Sequence, residues 1–321
     1  MRLDKYLKVS RLIKRRTVAN EVADAGRILI NGKIAKASQA VKEGDIIEVT
    51  FGNRPIKVKV LSDVEPRTKD VARDMVFAAN QAGCGFLGRP LVEATGSLRN
   101  FRTQAQIGGT DEVTAFHAAV AELLSRLNGW EKPAPIRHVL ALHASQRATS
   151  NTLALWELVK AGLPSDLGVQ EICLRNGTMA DCNGCSYTAC LHFGEQGGCF
   201  YGGPMVDEVY PAVRKCDALV MLCANYNDAL AANLTACVNR LTALFRQTRM
   251  YDKRLFGLIV SGYSGGDLLA RQLISALNMN KSFYLPPRFS LLETANERGS
   301  LVKLPGIEAQ AAAFARHIAE S

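Results

Sequence analysis

Between Asp181 and Cys199, the stretch DCNGCSYTACLHFGEQGGC holds four cysteines and a histidine in nineteen residues. The spacing is Cys182-x2-Cys185-x4-Cys190-x8-Cys199. Four thiolates suit an iron–sulfur cluster or a tetrahedral zinc, and a Cys-x-x-Cys pair also suits thiol redox chemistry. A second two-residue knuckle, which a zinc ribbon would have, is missing, and the spacings are wide and irregular. The pattern by itself leaves a cluster, a zinc ion and no metal all open.

A second concentration of chemistry lies at the other end of the chain. Arg2, Lys5, Lys8, Arg11, Lys14, Arg15 and Arg16 put seven cations into fifteen residues. Arg2, Lys5 and Lys8 recur every third residue and share one face of a short helix. Residues 1–60 carry 14 Lys/Arg against 6 Asp/Glu, while the remaining residues are nearly balanced. Scattered lysines are ordinarily a solvated surface, but cations crowded on one face and one turn favour a phosphate-backbone footprint. Tyr6 is the only aromatic residue among them and makes no interleaved platform, so folded RNA read by shape and phosphate fits better than stacked single strands.

A third site candidate is ASQRATSNT, Ala144 to Thr152, which follows an apolar strand and leads into a helix. Helix N-terminal N–H groups, with Ser145, Ser150, Asn151 and Thr152 as donors and Arg147 as counter-charge, make a phosphate cradle. It lacks the lysine and glycine spacing of a Walker loop. An ordinary capped turn would look the same in isolation.

These residues need elements to hold them. In the first sixty residues, Leu3 and Leu7 supply the buried side of one helix, and Thr17 to Ala25, capped by Thr17 and stopped by Gly26, form a second. Strands follow at ILI, IAKA and IIEVTF, with a tight turn at Asn31-Gly32. Beyond EKPAPIRH the pattern alternates strand and helix: strands at VLALHA, GVQEICL, DALVMLC, LFGLIVSG and a last one near FYL or FSLLE. Such alternation predicts a doubly wound parallel sheet with helices on both faces and ligands beyond the carboxyl ends of its strands. Trp156, Met205, Cys216, Cys223 and Cys237 are expected in the core, and His143 either there or beside a ligand.

The stretch RLDKYLKVSRLIKRRTVANEVADAGRILINGKIAKASQAVKEGDIIEVTFG, within a match running from Met1 to about Val60, resembles the alpha-L RNA-binding module of ribosomal protein S-four type. More closely, it resembles the bacterial ribosome-quality-control factors that stabilise P-site tRNA, kin to a ribosome-associated heat-shock protein. The resemblance implies binding to large-subunit rRNA and tRNA on stalled ribosomes, with Arg2, Lys5, Arg11, Lys14, Arg15 and Arg16 as RNA contacts.

Residues 136–321 resemble the flavodoxin-like NAD(P)H-dependent FMN reductases through three loops in register: ASQRATSNT, CANYNDALAANLTACVNR and SGYSGG. The resemblance implies FMN held by the phosphate loop and by Asn225, Tyr226, Asn227, Asp228, Ser261, Gly262 and Gly265, with NAD(P)H as co-substrate and no catalytic side chain required. The family's usual proline, serine, lysine and aspartate are replaced by Ala224, Ala231, Thr235 and Asn239, and its acidic pair by Gly203-Pro204. Related iron–sulfur flavoproteins hold a [4Fe–4S] cluster in a cysteine loop like Cys182–Cys199, with tighter spacing; others keep the cysteines without metal.

The expected organisation is an α+β RNA-binding domain at 1–66, a strand–helix segment at 67–130, a linker at 131–138 and a flavodoxin-like α/β domain at 139–321. AFHAAVAE resembles AFARHIAE, and FLGRPLVEATGSL resembles FYLPPRFSLLETANERGSL, so 70–130 reads as the closing strand and helix of a truncated second repeat. No apolar run is long enough to span a bilayer, and no apolar stretch follows the basic N-terminus as in a signal peptide. A cytoplasmic protein is therefore expected, open to homo-oligomerisation through its flavodoxin-like part. The function expected is an RNA-binding module fused to an FMN-dependent oxidoreductase. The alternatives are an RNA-binding factor with an inactive flavodoxin-like part, or a join of two independent proteins.

Overall fold

The computed structural model describes residues 1–10, 12–13, 16–51, 54–60, 69–146, 148–174 and 179–321. The chain divides into two units, Met1–Ala72 and Arg73–Ser321.

In the first unit, helices α1 (Leu3–Val9) and α2 (Arg16–Asp24) precede strands β1 (Ile28–Ile30), β2 (Lys33–Ile34), β3 (Ile46–Phe51) and β4 (Arg54–Lys59). The strands form one antiparallel sheet in the order β2-β1-β3-β4. Leu3, Leu7, Ala19, Ile28, Ile47 and Val49 are buried together as its core. Asn31 and Gly32 both have positive φ, 52° and 78°, as the type I′ hairpin turn between β1 and β2 requires. Gly26 at φ 69° ends α2, and its N–H and that of Arg27 bond back to Ala23 and Val22.

Three local details differ from expectation. Helix α2 already begins at Arg16, so Thr17 lies inside it. The strand expected at IAKA pairs only at Lys33–Ile34, because the chain then turns to serve α1: Leu3 N–H donates to Gln39 O and Asp4 N–H to Ala37 O. Those bonds satisfy donors that a helix start leaves open. Strand β4, at RPIKVK, was not expected at all.

The segment ahead of the parallel sheet departs from the strand–helix pattern suggested by its likeness to the C-terminus. It forms helices α3 (Lys69–Gln81), α4 (Arg102–Gly108) and α5 (Glu112–Asn128), and its expected strand is reduced to one antiparallel bridge, Phe86 with Leu285. FLGRPLVEATGSL cannot extend that pairing. Arg89 sits at φ 52°, Pro90 has no N–H to donate, and a Cβ on Gly88 would overlap Ser282 O. Instead the segment is bolted on by side chains. Asn80, fully buried, donates to Pro286 O at 2.7 Å and accepts from Phe289 N–H at 3.1 Å. Asn278 donates to Leu87 O at 3.0 Å.

The parallel sheet contains β5 (His138–His143), β6 (Gly168–Cys173), β7 (Ala218–Ala224), β8 (Arg254–Ser261) and β9 (Ser290–Thr294) in the order β6-β5-β7-β8-β9. Every pairing is parallel. This is the flavodoxin-like order, with a switch point between β5 and β7. All eight residues of β8 are buried, as a central parallel strand covered on both faces must be. Helices α6 (Asn151–Ala161) and α11 (Ile307–Glu320) cover one face through Trp156, Val159, Phe314 and Ile318. The others are α7 (Tyr187–Glu195), α8 (Tyr210–Lys215), α9 (Ala232–Gln247) and α10 (Gly266–Leu273). A π-helical turn leads into α8 and another follows α10.

The last strand is FSLLE, not FYL; Tyr284 makes only an isolated bridge to Arg254. Residues 133–136 are pinned rather than loose. Arg254, 1 % exposed, donates to Pro133 O and Ala134 O at 2.8 and 2.6 Å, and Ile136 is buried. Trp156, Met205, Cys216, Cys223 and Cys237 are all buried, as expected. No helix among the described residues is long and apolar enough to cross a membrane.

Candidate flavin site, thiol cavity and RNA-binding face

The loops at the carboxyl ends of β5, β7, β8 and β9 are joined by hydrogen bonds into one rim. Ser150 caps α6, its Oγ accepting from Leu153 N–H at 3.2 Å, a bond worth about 1 kcal/mol. Ser145 and Thr152 are buried beside it. Asn151 has a different task from the expected phosphate donor. Its amide donates to Ala295 O and Glu297 O at 3.1 and 2.9 Å and accepts from Gly299 N–H at 3.0 Å. It therefore fastens the start of α6 to the loop after β9. Arg147 lies outside the described residues.

After β7, Asn225 organises the loop. Its amide donates to Asp228 Oδ1 and Ser261 Oγ, each at 3.2 Å, while its Oδ1 accepts from Asp228 N–H at 2.8 Å. Asn227 and Asp228 both adopt positive φ, 51° and 59°, which Asn and Asp tolerate better than other side chains. Gln272 on α10 holds the loop from below, donating to Asp228 O at 2.7 Å and accepting from Leu230 N–H at 3.3 Å. Of the glycines expected here, Gly265 is demanded by its backbone, and Gly262 packs closely against a side chain. Gly265 has φ 111°, and a Cβ on it would overlap Asp228 Oδ1. A Cβ on Gly262 would stand 2.8 Å from Asn296 Oδ1.

Tyr226 and Tyr263 flank this rim, each 56 % exposed, and Tyr263 OH reaches Asp228 Oδ1 at 3.4 Å. Two open aromatic faces, a glycine-floored cradle and a helix N-terminus with hydroxyls form a donor set that fits FMN: flat ring against aromatic faces, phosphate against N–H groups. Gln272, Tyr263 and Asn296 were missed in the sequence. Only Tyr263 carried a signal there, inside SGYSGG.

The four loop cysteines line one cavity of about 190 Å³, together with Phe193, Phe200, Tyr201, Arg240 and Arg246. Cys182 and Cys185 are exposed, Cys190 and Cys199 half-buried. They do not form a ligand set: among the described residues no three His, Cys, Asp or Glu side chains are placed to hold a metal. The metal that the sequence left open at Cys182, Cys185, Cys190 and Cys199 finds no ready ligand set in this arrangement. Helix α7, which the Cys- and Gly-rich composition concealed, runs through the motif. Capped by Ser186, it holds Cys190 in helical backbone, with Gly184 and Gly197 on either side at left-handed φ.

Helix α9 anchors both ends of the cysteine loop. Arg240, 2 % exposed, donates to Ala180 O at 3.4 Å and to Gly202 O at 2.6 Å. Its own carbonyl accepts from the buried Tyr210 hydroxyl at 2.6 Å. Asn239 donates to Asp181 Oδ1 at 3.0 Å. That bond and the one from Cys182 N–H hold the Asp181 carboxyl below the usual carboxylate range. An aspartate at 239 would instead face Asp181 with a like charge.

On the N-terminal unit, Asp4 is the organiser that the cation pattern did not reveal. Its carboxylate is 1 % exposed and accepts from Arg2 Nη2 at 3.0 Å, Arg16 Nε at 3.0 Å and Lys5 N–H at 2.7 Å. Burial alone would raise its pKa, but the bonds from Arg16, Arg2 and Lys5 N–H outweigh it and hold the carboxyl low. The two guanidinium side chains remain about half exposed, at 56 % and 48 %. Half-exposed guanidinium groups of this kind suit planar hydrogen bonding to an anion such as phosphate. Arg11, Lys14 and Arg15 lie outside the described residues.

Comparison with known proteins agrees with both parts. Residues 137–297, half of the chain, match the NADPH-dependent FMN reductase family, and residues 1–47 match the S4 domain. Over 75 residues the chain is 57 % identical to the RQC P-site tRNA stabilizing factor of Streptococcus pneumoniae, covering 23 % of this chain and 85 % of that one. Identity to the Bacillus subtilis factor of the same name is also 57 % over 75 residues, 87 % of its length. The solved Trp repressor binding protein from Bacillus subtilis aligns over 54 % of this chain and 95 % of its own, with 16 % identity and a TM-score of 0.38. The chain belongs to the NADPH-dependent FMN reductase family, and its N-terminal part, an S4 domain, belongs with the RQC P-site tRNA stabilizing factors.

Proposed function

We propose that this chain is an FMN-dependent oxidoreductase drawing on NAD(P)H and carried to the ribosome by its own RNA-binding domain. The observation that carries the redox half is the cradle around Gly265 and Asp228, at the carboxyl edge of a β6-β5-β7-β8-β9 sheet, in a chain of the FMN reductase family. Bound FMN supplies the hydride chemistry itself. The protein's task is to hold it. Ser145, Ser150 and the free N–H groups at the start of α6 take the phosphate, while Asn225, Asp228, Ser261, Gly262 and Gly265 shape the floor. Tyr226 and Tyr263 shelter the ring from water.

The RNA half rests on Arg2 and Arg16, steadied by Asp4, in a domain like those of the P-site tRNA stabilizing factors. Large-subunit rRNA and tRNA on a stalled ribosome are the partners this reading assigns. Two experiments separate the halves. Purified protein reconstituted with FMN should show a flavin absorption band that NADPH or NADH bleaches; no band would end the redox reading. Co-sedimentation with large ribosomal subunits should fall in Arg2→Glu with Arg16→Glu. Unchanged co-sedimentation would remove those arginines from the RNA face.

A further inference from the structure

His143 ends β5 immediately before the phosphate loop and is 2 % exposed. Its Nδ1 accepts the N–H of Ser145 at 3.3 Å, and its Nε2 lies 3.2 Å from Glu171 Oε1. An imidazole whose Nδ1 accepts carries its proton on Nε2, so the second contact is Nε2–H donating to the carboxylate. Glu171 comes from the neighbouring strand, where its register partner is Ala141, so it approaches His143 from the same face of the sheet. The other carboxylate oxygen accepts from Trp156 Nε1–H at 3.0 Å and has Lys160 Nζ at 3.8 Å. Trp156 and Lys160 both belong to α6, the helix that the phosphate loop enters.

Glu171 therefore joins two things that must keep a fixed relation if a phosphate is to be held: the first peptide of the loop, through His143, and the helix behind it, through Trp156. We propose that Glu171 is a positioning residue for the FMN phosphate, acting through His143 without touching the ligand. With Ser145 N–H turned inward, the direction of the loop's first peptide is set, and the N–H groups at the start of α6 are left to face the anion. The inference rests on reading 144–152 as the phosphate loop.

Riboflavin, which has the same ring system but no phosphate, separates this role from general support of the fold. The full chain, Glu171→Ala and Glu171→Gln are titrated with FMN and with riboflavin, following quenching of flavin fluorescence. The wild-type chain should prefer FMN. Glu171→Ala should lose about tenfold in FMN affinity, the scale of a hydrogen bond to a charged group, with riboflavin affinity unchanged. Glu171→Gln, which keeps an acceptor oxygen for His143, should recover part of the loss. Equal weakening of both flavins, or an unchanged preference for FMN in Glu171→Ala, would overturn the proposal while leaving the phosphate loop in place. A wild-type chain with no preference would remove the phosphate-loop reading, and this inference with it.

Discussion

Gly265 and Asp228, on loops from adjacent strands, approach so closely that a Cβ on the glycine would overlap the carboxylate Oδ1. The same glycine holds φ at 111°, outside the range that side chains favour. Gly265→Ala therefore has to displace the Asn225–Asp228–Ser261 network. Strain of about 1–3 kcal/mol at such a position corresponds to a loss of FMN affinity of roughly 5- to 150-fold. Fluorescence titration checks it, and wild-type affinity in the variant would show that this network does not shape the flavin site.

Asp4 gives the N-terminal domain a pH signature. A carboxyl held low in the folded state contributes stability that is complete above its unfolded value, near pH 4, and is lost as pH falls through the folded value. Asp4→Asn should therefore be less stable than the parent by a constant margin at neutral pH, and the margin should shrink below about pH 4. Denaturant unfolding at several pH values measures it. Ribosome co-sedimentation of the same variant should also weaken, since Arg2 and Arg16 lose their common anchor.

Arg240→Met removes both bonds that pin the ends of the cysteine loop and strips the Ala180 and Gly202 carbonyls of a charged donor. The expected cost is about 2–4 kcal/mol, with faster proteolysis between residues 180 and 202. An unchanged melting temperature with unchanged proteolysis would mean that the loop is held by other contacts.

The nine thiols should fall into kinetic classes. Burial pushes Cys216 and Cys237 up to about 12 and Cys223 up as well, so these three should resist alkylation until the protein unfolds. Cys84, Cys173, Cys182 and Cys185 are exposed and should react first. Because the loop thiols do not converge, added zinc should leave the labelling rates of Cys182 and Cys185 unchanged. Protection by zinc would show that they gather around a metal after all.

Much of the fold was legible because its signals are local. Short apolar runs alternating with helical patterns mark β5 to β8 and most of their helices, and Asn31-Gly32 and Gly26 mark turns through backbone preferences of single residues. The failures are non-local. FYL is as apolar as FSLLE, and only pairing with Gly257 to Ser261 selects the latter as β9. FLGRP resembled a strand until its contact with Ser282 and Asn278 took up its backbone. The same division holds at the sites. Loop composition pointed to Ser150, and resemblance to the FMN reductases pointed to Asn225 and Gly265, but Asp4, Gln272 and Arg240 act across 12, 44 and 60 residues of chain, where no spacing rule reaches. The cysteine motif left a cluster, a zinc ion and no metal open for a related reason: its spacing is visible in the sequence, whereas the helix that carries Cys190 is not.

The most direct test of the whole account is the absorption spectrum of the full-length chain after reconstitution with FMN and gel filtration, recorded before and after anaerobic addition of NADPH or NADH. The account predicts a flavin band that co-elutes with the protein, bleaches on addition of nicotinamide nucleotide, and is lost or weakened in Gly265→Ala. A wild-type chain that elutes without flavin, or retains flavin that neither nucleotide reduces, would contradict it.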